Sequence, residues 1–154
     1  MDKTLHIALW EPEIPPNTGN IARLCAATAT VLHLIGRLGF RIDDRELKRA
    51  GLDYWPDVRL VQHATFAEFE AAIGTDRIIC IETNAQRYYT QASYQPGDCL
   101  LFGNESHGLP LTIRERYAHR TFGIPMPGGN VRSLNLATSA GIVLFEALRQ
   151  LHGW

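Results

Sequence analysis

Six short runs rich in Ile, Leu and Val punctuate this chain and limit its fold more than any other feature: LHIALW (5–10), VLHLIG (31–36), VRLV (58–61), RIICIET (77–83), DCLLFG (98–103) and RTFGIP (120–125). Each has the length and composition of a buried strand. Helical patterns fall between them at about 18–30, 43–51, 65–73 and 110–118, and a last one runs from about 133 to 151. Parallel strands need a crossover connection that is usually a helix, so the alternation of the two along the chain implies an α/β fold, a parallel sheet flanked by helices on both faces. The 154 residues are 45% hydrophobic and contain no internal repeat, low-complexity segment or long linker, so one domain spanning 1–154 is expected.

The last helical pattern constrains assembly. From Leu136 to Leu148 it reads LATSAGIVLFEAL, apolar almost all round, whereas a helix on a monomer's surface shows a polar face. It is expected to be buried on two sides. Its own sheet covers one, and a second copy of the chain is the economical cover for the other, which makes a homodimer; burial wholly within one subunit is the alternative. Fifteen Lys and Arg against sixteen Asp and Glu leave no global charge signature for nucleic acid or membrane, so any basic face must be local. Two local groups exist: Arg37, Arg41, Arg45, Lys48 and Arg49, and Arg114, Arg116, Arg120 and Arg132. Three cysteines, odd in number and set in apolar runs without a C-x-x-C, suit reduced thiols and a cytoplasmic location. No signal-peptide pattern or 18-residue apolar run predicts a membrane segment. The six histidines lack the spacing of metal ligands, so no metal is expected.

Ligands of open parallel sheets bind beyond the carboxyl ends of the strands. The fourth, fifth and sixth runs end at Ile81-Glu82-Thr83, Gly103-Asn104-Glu105 and Ile124-Pro125-Met126. The last of these leads through the bend Pro-Gly-Gly-Asn to Ser133, which suits the N-cap of the final helix. In PPNTGNIAR (15–23), Asn17 or Thr18 can cap a helix whose apolar face is Ile21, Leu24, Cys25 and Thr28, leaving Asn20 and Arg23 on an adjacent polar face. There is no G-x-G-x-x-G after a strand, and GNESHG (103–108) lacks the Lys and hydroxyl of a P-loop. NESHG is a near miss to the nucleophile elbow, and Ser106 beside His107 leaves a serine hydrolase open as a rival reading. The longest irregular stretch, 84–97, is either a cover over a site or an ordinary surface loop.

Taken together, NTGNIAR (17–23), LFGNESHGL (101–109), and IPM (124–126) followed by VRSLNLA (131–137) resemble, in order, the three motifs of the SPOUT superfamily of S-adenosylmethionine-dependent RNA methyltransferases. EPEIPPNTGN (11–20) and KRAGLDYW (48–55) further resemble the subfamily that methylates the ribose 2′-hydroxyl of the tRNA wobble nucleotide. The resemblance implies a SPOUT-type parallel sheet with a deep trefoil knot in its C-terminal part, and a homodimer with active sites built across the interface. It implies S-adenosyl-L-methionine as cofactor, S-adenosyl-L-homocysteine as product, and the anticodon stem-loop of a tRNA, a leucine tRNA first, as partner. Ile81, Thr83, Gly103, Asn104, Ile124, Met126, Ser133 and Leu134 would hold the cofactor, with Ser133 and Asn135 at the reacting end, and Glu105 matches the family's acidic residue. Asn17, Asn20 and Arg23 would face the substrate, with Arg23 catalytic. A guanidinium stays protonated at any working pH, so Arg23 would grip a phosphate or ribose oxygen while the RNA's own phosphate accepts the proton. The basic groups would track the phosphates, and Tyr54, Trp55, Tyr88 and Tyr89 either stack on anticodon bases or pack in the core.

Overall fold

The computed structural model describes residues 2–50 and 55–154. Among them, strands β1 (His6–Trp10), β2 (Val31–Ile35), β3 (Leu60–His63), β4 (Ile78–Ile81), β5 (Cys99–Phe102) and β6 (Thr121–Phe122) form one sheet in the order β3-β2-β1-β5-β4-β6. Every pairing is parallel. The helices are α1 (Pro15–Thr28), α2 (Arg45–Ala50), α3 (Phe66–Ile73), α4 (Leu111–Arg116) and α5 (Leu136–His152). They cover both faces, which is why β4 and β5 are apolar at every position rather than at alternate ones. Ile7, Leu9, Leu32, Leu34, Leu100 and Phe102 pack with α1 and α5, while Ala8, Cys80, Cys99 and Leu101 pack with α3 and α4.

Several boundaries differ from the sequence expectation, each for a local reason. The last strand, expected over 120–125, stops at Phe122 because Gly123 turns its bonds to a loop: its N–H donates to Arg87 O and its carbonyl accepts from Tyr89 N–H. The chain thereby leaves the sheet early and heads across its end. The third strand runs over Leu60–His63 instead of 58–61. Neither Asn17 nor Thr18 caps α1; the helix begins earlier, with Ile14 as N-cap and Pro15 and Pro16 in the first turn, where a missing N–H costs nothing. Ser133 does not cap α5 either. Asn135 does, its Oδ1 accepting from Thr138 N–H at 3.1 Å. Helix α2 starts at Arg45, with Asp44 Oδ1 accepting from Glu46 and Leu47 N–H; Gly51, where the predicted helix ended, and Tyr54 lie outside the described residues.

Helix α5 buries a single stripe, Leu136, Ala140, Val143, Leu144, Ala147 and Leu148, against its own sheet, and Phe145 on the far side is 47% exposed within one chain. Helix α1 meets α2 backbone to backbone. A Cβ on Gly19 would come within 2.5 Å of both Leu47 O and Ala50 Cβ, so this interior helix position tolerates only glycine. The basic residues of α2 are thereby set beside the polar face of α1.

The sheet also assembles something the sequence concealed. His6, His33 and His63, 27 and 30 residues apart, lie in a row across β1, β2 and β3, with 2.9 Å between His6 Nδ1 and His33 Nε2 and 2.9 Å between His33 Nδ1 and His63 Nε2. Each such contact needs one N–H and one lone pair, so the row can hold at most one doubly protonated ring without breaking a contact. Burial pushes all three pKa values down, that of His33 to about 3, from an ordinary value of 6.5. The unfolded chain therefore takes up protons first as the pH falls, and stability that is complete above pH 6.5 is lost from there toward about 3, at up to about 1.4 kcal/mol per pH unit per histidine. Urea midpoints measured from pH 7 to pH 5 are expected to fall more steeply for the wild type than for His33→Leu. Equal slopes would mean that the row does not govern acid sensitivity.

Candidate active site

The sheet reverses its winding between β1 and β5, the switch point at which α/β sheets open a crevice beyond their carboxyl ends. A cavity of about 300 Å³ opens there. Its walls come from Ile81, Glu82 and Thr83 after β4; Phe102, Gly103, Asn104, Glu105 and Gly108 at the end of β5; Ile124 and Met126 after β6; Ser133 to Leu136 and Ser139 at the start of α5; and Ile14 and Asn17 at the start of α1. The three motif segments, more than 100 residues apart at the extremes, thus converge on one space.

Every candidate site residue lines this cavity except Asn20 and Arg23, which lie on exposed positions further along α1. Trp55 and Tyr89 pack against the core, whereas Tyr88 is 48% exposed. In the second basic group, Arg116 pairs with Glu70 at 3.1 Å and Arg120 donates to Ile78 O and faces Asp98, so both are tied into the fold.

The turn after β5 is made of glycine backbones in contact. A Cβ on Gly103 would lie 2.1 Å from Gly108 C and 2.3 Å from Leu109 N. Asn104 and Gly108 exchange both backbone hydrogen bonds across it, and Asn104 Oδ1 accepts from His107 N–H at 2.8 Å. Gly108 has φ +68°, in the left-handed region that favours glycine. Ser106 and His107 are held through their backbone N–H groups, Ser106 to Glu13 Oε1 at 2.9 Å, with exposed side chains. The Ser106 side chain first, and then its N–H, lower the pKa of the Glu13 carboxyl by hydrogen bonding.

Glu105 acts across the fold. Its Oε1 accepts from Glu13 N–H and its Oε2 from Ile14 N–H, both at 2.9 Å, and Oε2 also accepts from Asn17 Nδ2 at 3.2 Å. A carboxylate some 90 residues away in sequence thus supplies the capping that no side chain within α1 provides, placed where the helix dipole favours negative charge. Because an ionised carboxylate only accepts, the Asn17 amide nitrogen must face it. The Asn17 oxygen is then free to accept from Asn135 Nδ2 at 3.0 Å, and Asn135 Oδ1 receives Thr138 N–H. One directed chain of bonds therefore links the three motifs. Glu105→Gln keeps the shape but turns a donor toward backbone donors, so stability is expected to fall by about 1–3 kcal/mol. An unchanged urea midpoint would show that the carboxylate does not hold α1.

Glu82 was not among the candidates. It lines the cavity half-buried, its Oε1 accepts from Leu109 N–H at 2.9 Å, and burial raises its pKa. The available signal was an acid placed directly after a wholly apolar strand run, at the end where ligands bind.

The model of the "SpoU rRNA Methylase family" matches residues 4–145 of the chain. The chain is 45% identical, over 94% of its own length and 94% of the relative's, to a protein of Methylovorus glucosotrophus named tRNA (cytidine(34)-2'-O)-methyltransferase. A solved structure described as "Structural insights into the 2-OH methylation of C/U34 on tRNA" is 47% identical, covers 99% of both chains and superimposes with a TM-score of 0.90. An AdoMet-bound rRNA methyltransferase from Sinorhizobium meliloti is 27% identical, with a TM-score of 0.87 over 98% of this chain and 58% of that one. The fold, the cavity at its switch point and these likenesses agree, and the chain belongs to the SpoU rRNA methylase family.

Proposed function

We propose that the protein transfers a methyl group from S-adenosylmethionine to the ribose 2′-hydroxyl of the wobble nucleotide, cytidine or uridine 34, of a tRNA. The convergence of the three motif segments on one cavity carries this reading, in a chain 47% identical over 99% of its length to a structure concerned with that methylation. The cavity suits the cofactor in chemistry and size. Ile81, Phe102, Ile124 and Leu136 offer an apolar slot for a flat adenine, and Thr83, Asn104, Ser133 and Asn135 offer polar groups for the rest. When bound there, the cofactor supplies an electrophilic methyl group on a sulfonium.

The chain's own residues have distinct tasks. Gly103 and Asn104 line the pocket; backbone groups around Ile124 to Met126 would hold the adenine side of the cofactor, and Ser133, Leu134 and Asn135 would face its reacting end. Arg23 grips a phosphate or ribose oxygen of the RNA, Asn20 supports it, and the proton leaves to the RNA's phosphate. Asn17 works through Glu105 and Asn135, keeping α1 at a fixed distance from the pocket.

Neither Asn20 nor Arg23 reaches the cavity of its own chain, and Phe145, a large apolar side chain, is exposed on the face of α5 turned away from the sheet. Both observations support a homodimer in which Arg23 of one subunit serves the cofactor pocket of the other. The chain is read as a single domain with a C-terminal trefoil knot, acting in the cytoplasm; its three cysteines are buried free thiols, and among the described residues no helix is long and apolar enough to cross a membrane. The anticodon stem-loop is met by the exposed basic residues Arg37, Arg45 and Arg49, the last two on α2, whose Leu47 and Ala50 meet α1 at Gly19.

Nucleoside mass spectrometry of unmodified and native tRNA pools after incubation with the protein and S-adenosylmethionine tests the reading. New 2′-O-methylcytidine or 2′-O-methyluridine at position 34 is expected. Methylation mapped to another nucleotide, or cofactor binding without turnover on either pool, would overturn it.

A further inference from the structure

A second cavity, of about 380 Å³, lies between the loop after β4 and the segment after β6, and Ile124 and Met126 are the wall it shares with the first. It is lined by Tyr88, Arg132, Asn84 and Val131, so that a tyrosine and an arginine considered separately in the sequence for stacking and phosphate contact share one cavity. Tyr88 is unusual in being a large aromatic left 48% exposed on a backbone held from both sides. Its N–H donates to Gln91 Oε1 at 2.7 Å and its carbonyl accepts from Gln91 N–H at 2.8 Å. On either side of it, Arg87 O and Tyr89 N–H bond to the backbone of Gly123, each at 2.8 Å. A ring so anchored presents a flat π face with little ordering left to lose on binding.

The other groups complete one chemistry. Arg132 is exposed and always charged, with a planar donor fork suited to phosphate. Asn84, at φ +64°, brings an amide that can both donate to and accept from a base edge. An aromatic face, a guanidinium and an amide around one small cavity match a nucleobase with its 5′ or 3′ phosphate, as single-stranded RNA is bound by stacking and edge contacts. The shared wall of Ile124 and Met126 sets this cavity directly beside the one assigned to the cofactor.

We propose that the second cavity seats an unpaired RNA base immediately adjoining the methylated nucleotide, with Tyr88 stacked on its face and Arg132 on the neighbouring phosphate. This rests on the methyltransferase reading above and extends it to how the RNA is gripped beyond its reacting ribose.

The test uses the full-length protein, an anticodon stem-loop RNA carrying 2-aminopurine on one side or the other of nucleotide 34, and S-adenosylhomocysteine. Tyr88→Ala is expected to weaken RNA binding about tenfold, the loss of one base stack, and to abolish the quenching of 2-aminopurine at one of the two positions. Tyr88→Phe, which keeps the ring, retains both, and Arg132→Ala weakens RNA binding with quenching preserved at saturating RNA. Calorimetric affinity for S-adenosylhomocysteine stays at the wild-type value in all three variants. Loss of cofactor affinity with RNA binding intact would assign the cavity to the cofactor and overturn the proposal, as would a Tyr88→Ala protein that still binds and quenches like the wild type. If the wild type shows the stack yet leaves nucleotide 34 unmethylated, the stacking site stands and the wobble assignment falls.

Discussion

Alanine at Gly103 is expected to eliminate measurable S-adenosylhomocysteine binding and to destabilise the protein by about 3 kcal/mol. The added Cβ meets backbone on the far side of the turn, Gly108 C at 2.1 Å and Leu109 N at 2.3 Å, so no side-chain rotation relieves the clash. The turn has to open, and two sets of contacts go with it. Asn104 and Gly108 lose their paired backbone bonds, and Leu109 N–H is drawn away from Glu82 Oε1, leaving a half-buried carboxylate without that donor. Both changes fall on cavity walls. Calorimetric titration and thermal melts of Gly103→Ala measure the two effects separately; wild-type affinity would show that the turn opens without disturbing the pocket.

Arg23→Ala is expected to lower the turnover of tRNA by at least about a hundredfold while leaving S-adenosylhomocysteine affinity within about twofold of the wild type. The split follows from position, because Arg23 is exposed on α1 and lines no part of its own chain's cofactor cavity. A residue that lowered both would be a pocket residue instead. Action across a dimer adds a sharper expectation. Leu134→Trp fills the cavity of its own subunit, so each single variant is inactive, yet a heterodimer of the two holds one site with an intact pocket and an intact Arg23. Random re-association of equal amounts would restore about one quarter of wild-type activity. Absence of complementation in mixed dimers would place Arg23 in the same subunit as the pocket it serves.

The legible parts of this molecule are those written in neighbouring residues. Alternating apolar runs and helical patterns gave away a parallel sheet, and the residues after the runs ending at Ile81 and Phe102 marked the walls of the cavity. What stayed hidden depends on distant partners. Asn17 looked like a helix cap because caps are ordinarily local, but Glu105 performs that task from the other motif and releases Asn17 to bond Asn135. Ser133 likewise yielded the cap of α5 to Asn135, since the chain is still irregular at Ser133 and turns helical only at Leu136. The histidine row escaped because parallel pairing, not sequence spacing, brings His6, His33 and His63 together as diagonal neighbours, each two residues out of register with the next. The strand order carries no local signature at all, which is why the switch between β1 and β5 emerged only with the fold.

The chain of bonds from Glu105 through Asn17 to Asn135 also dictates when the protein becomes competent during its manufacture. A nascent polypeptide released by the ribosome through residue 130 already contains all six strands, and Glu105 can already secure the beginning of α1. Yet the side-chain oxygen of Asn17 lacks the Asn135 amide as donor until Asn135 emerges, and Ser133 and Leu134, which close the pocket, arrive with it. One face of the sheet also waits for α5 to cover it, so the core and the ligand pocket are completed together at the end of synthesis. Truncated translation products would then lack the wall that Ser133 and Leu134 supply, and so could not sequester cofactor.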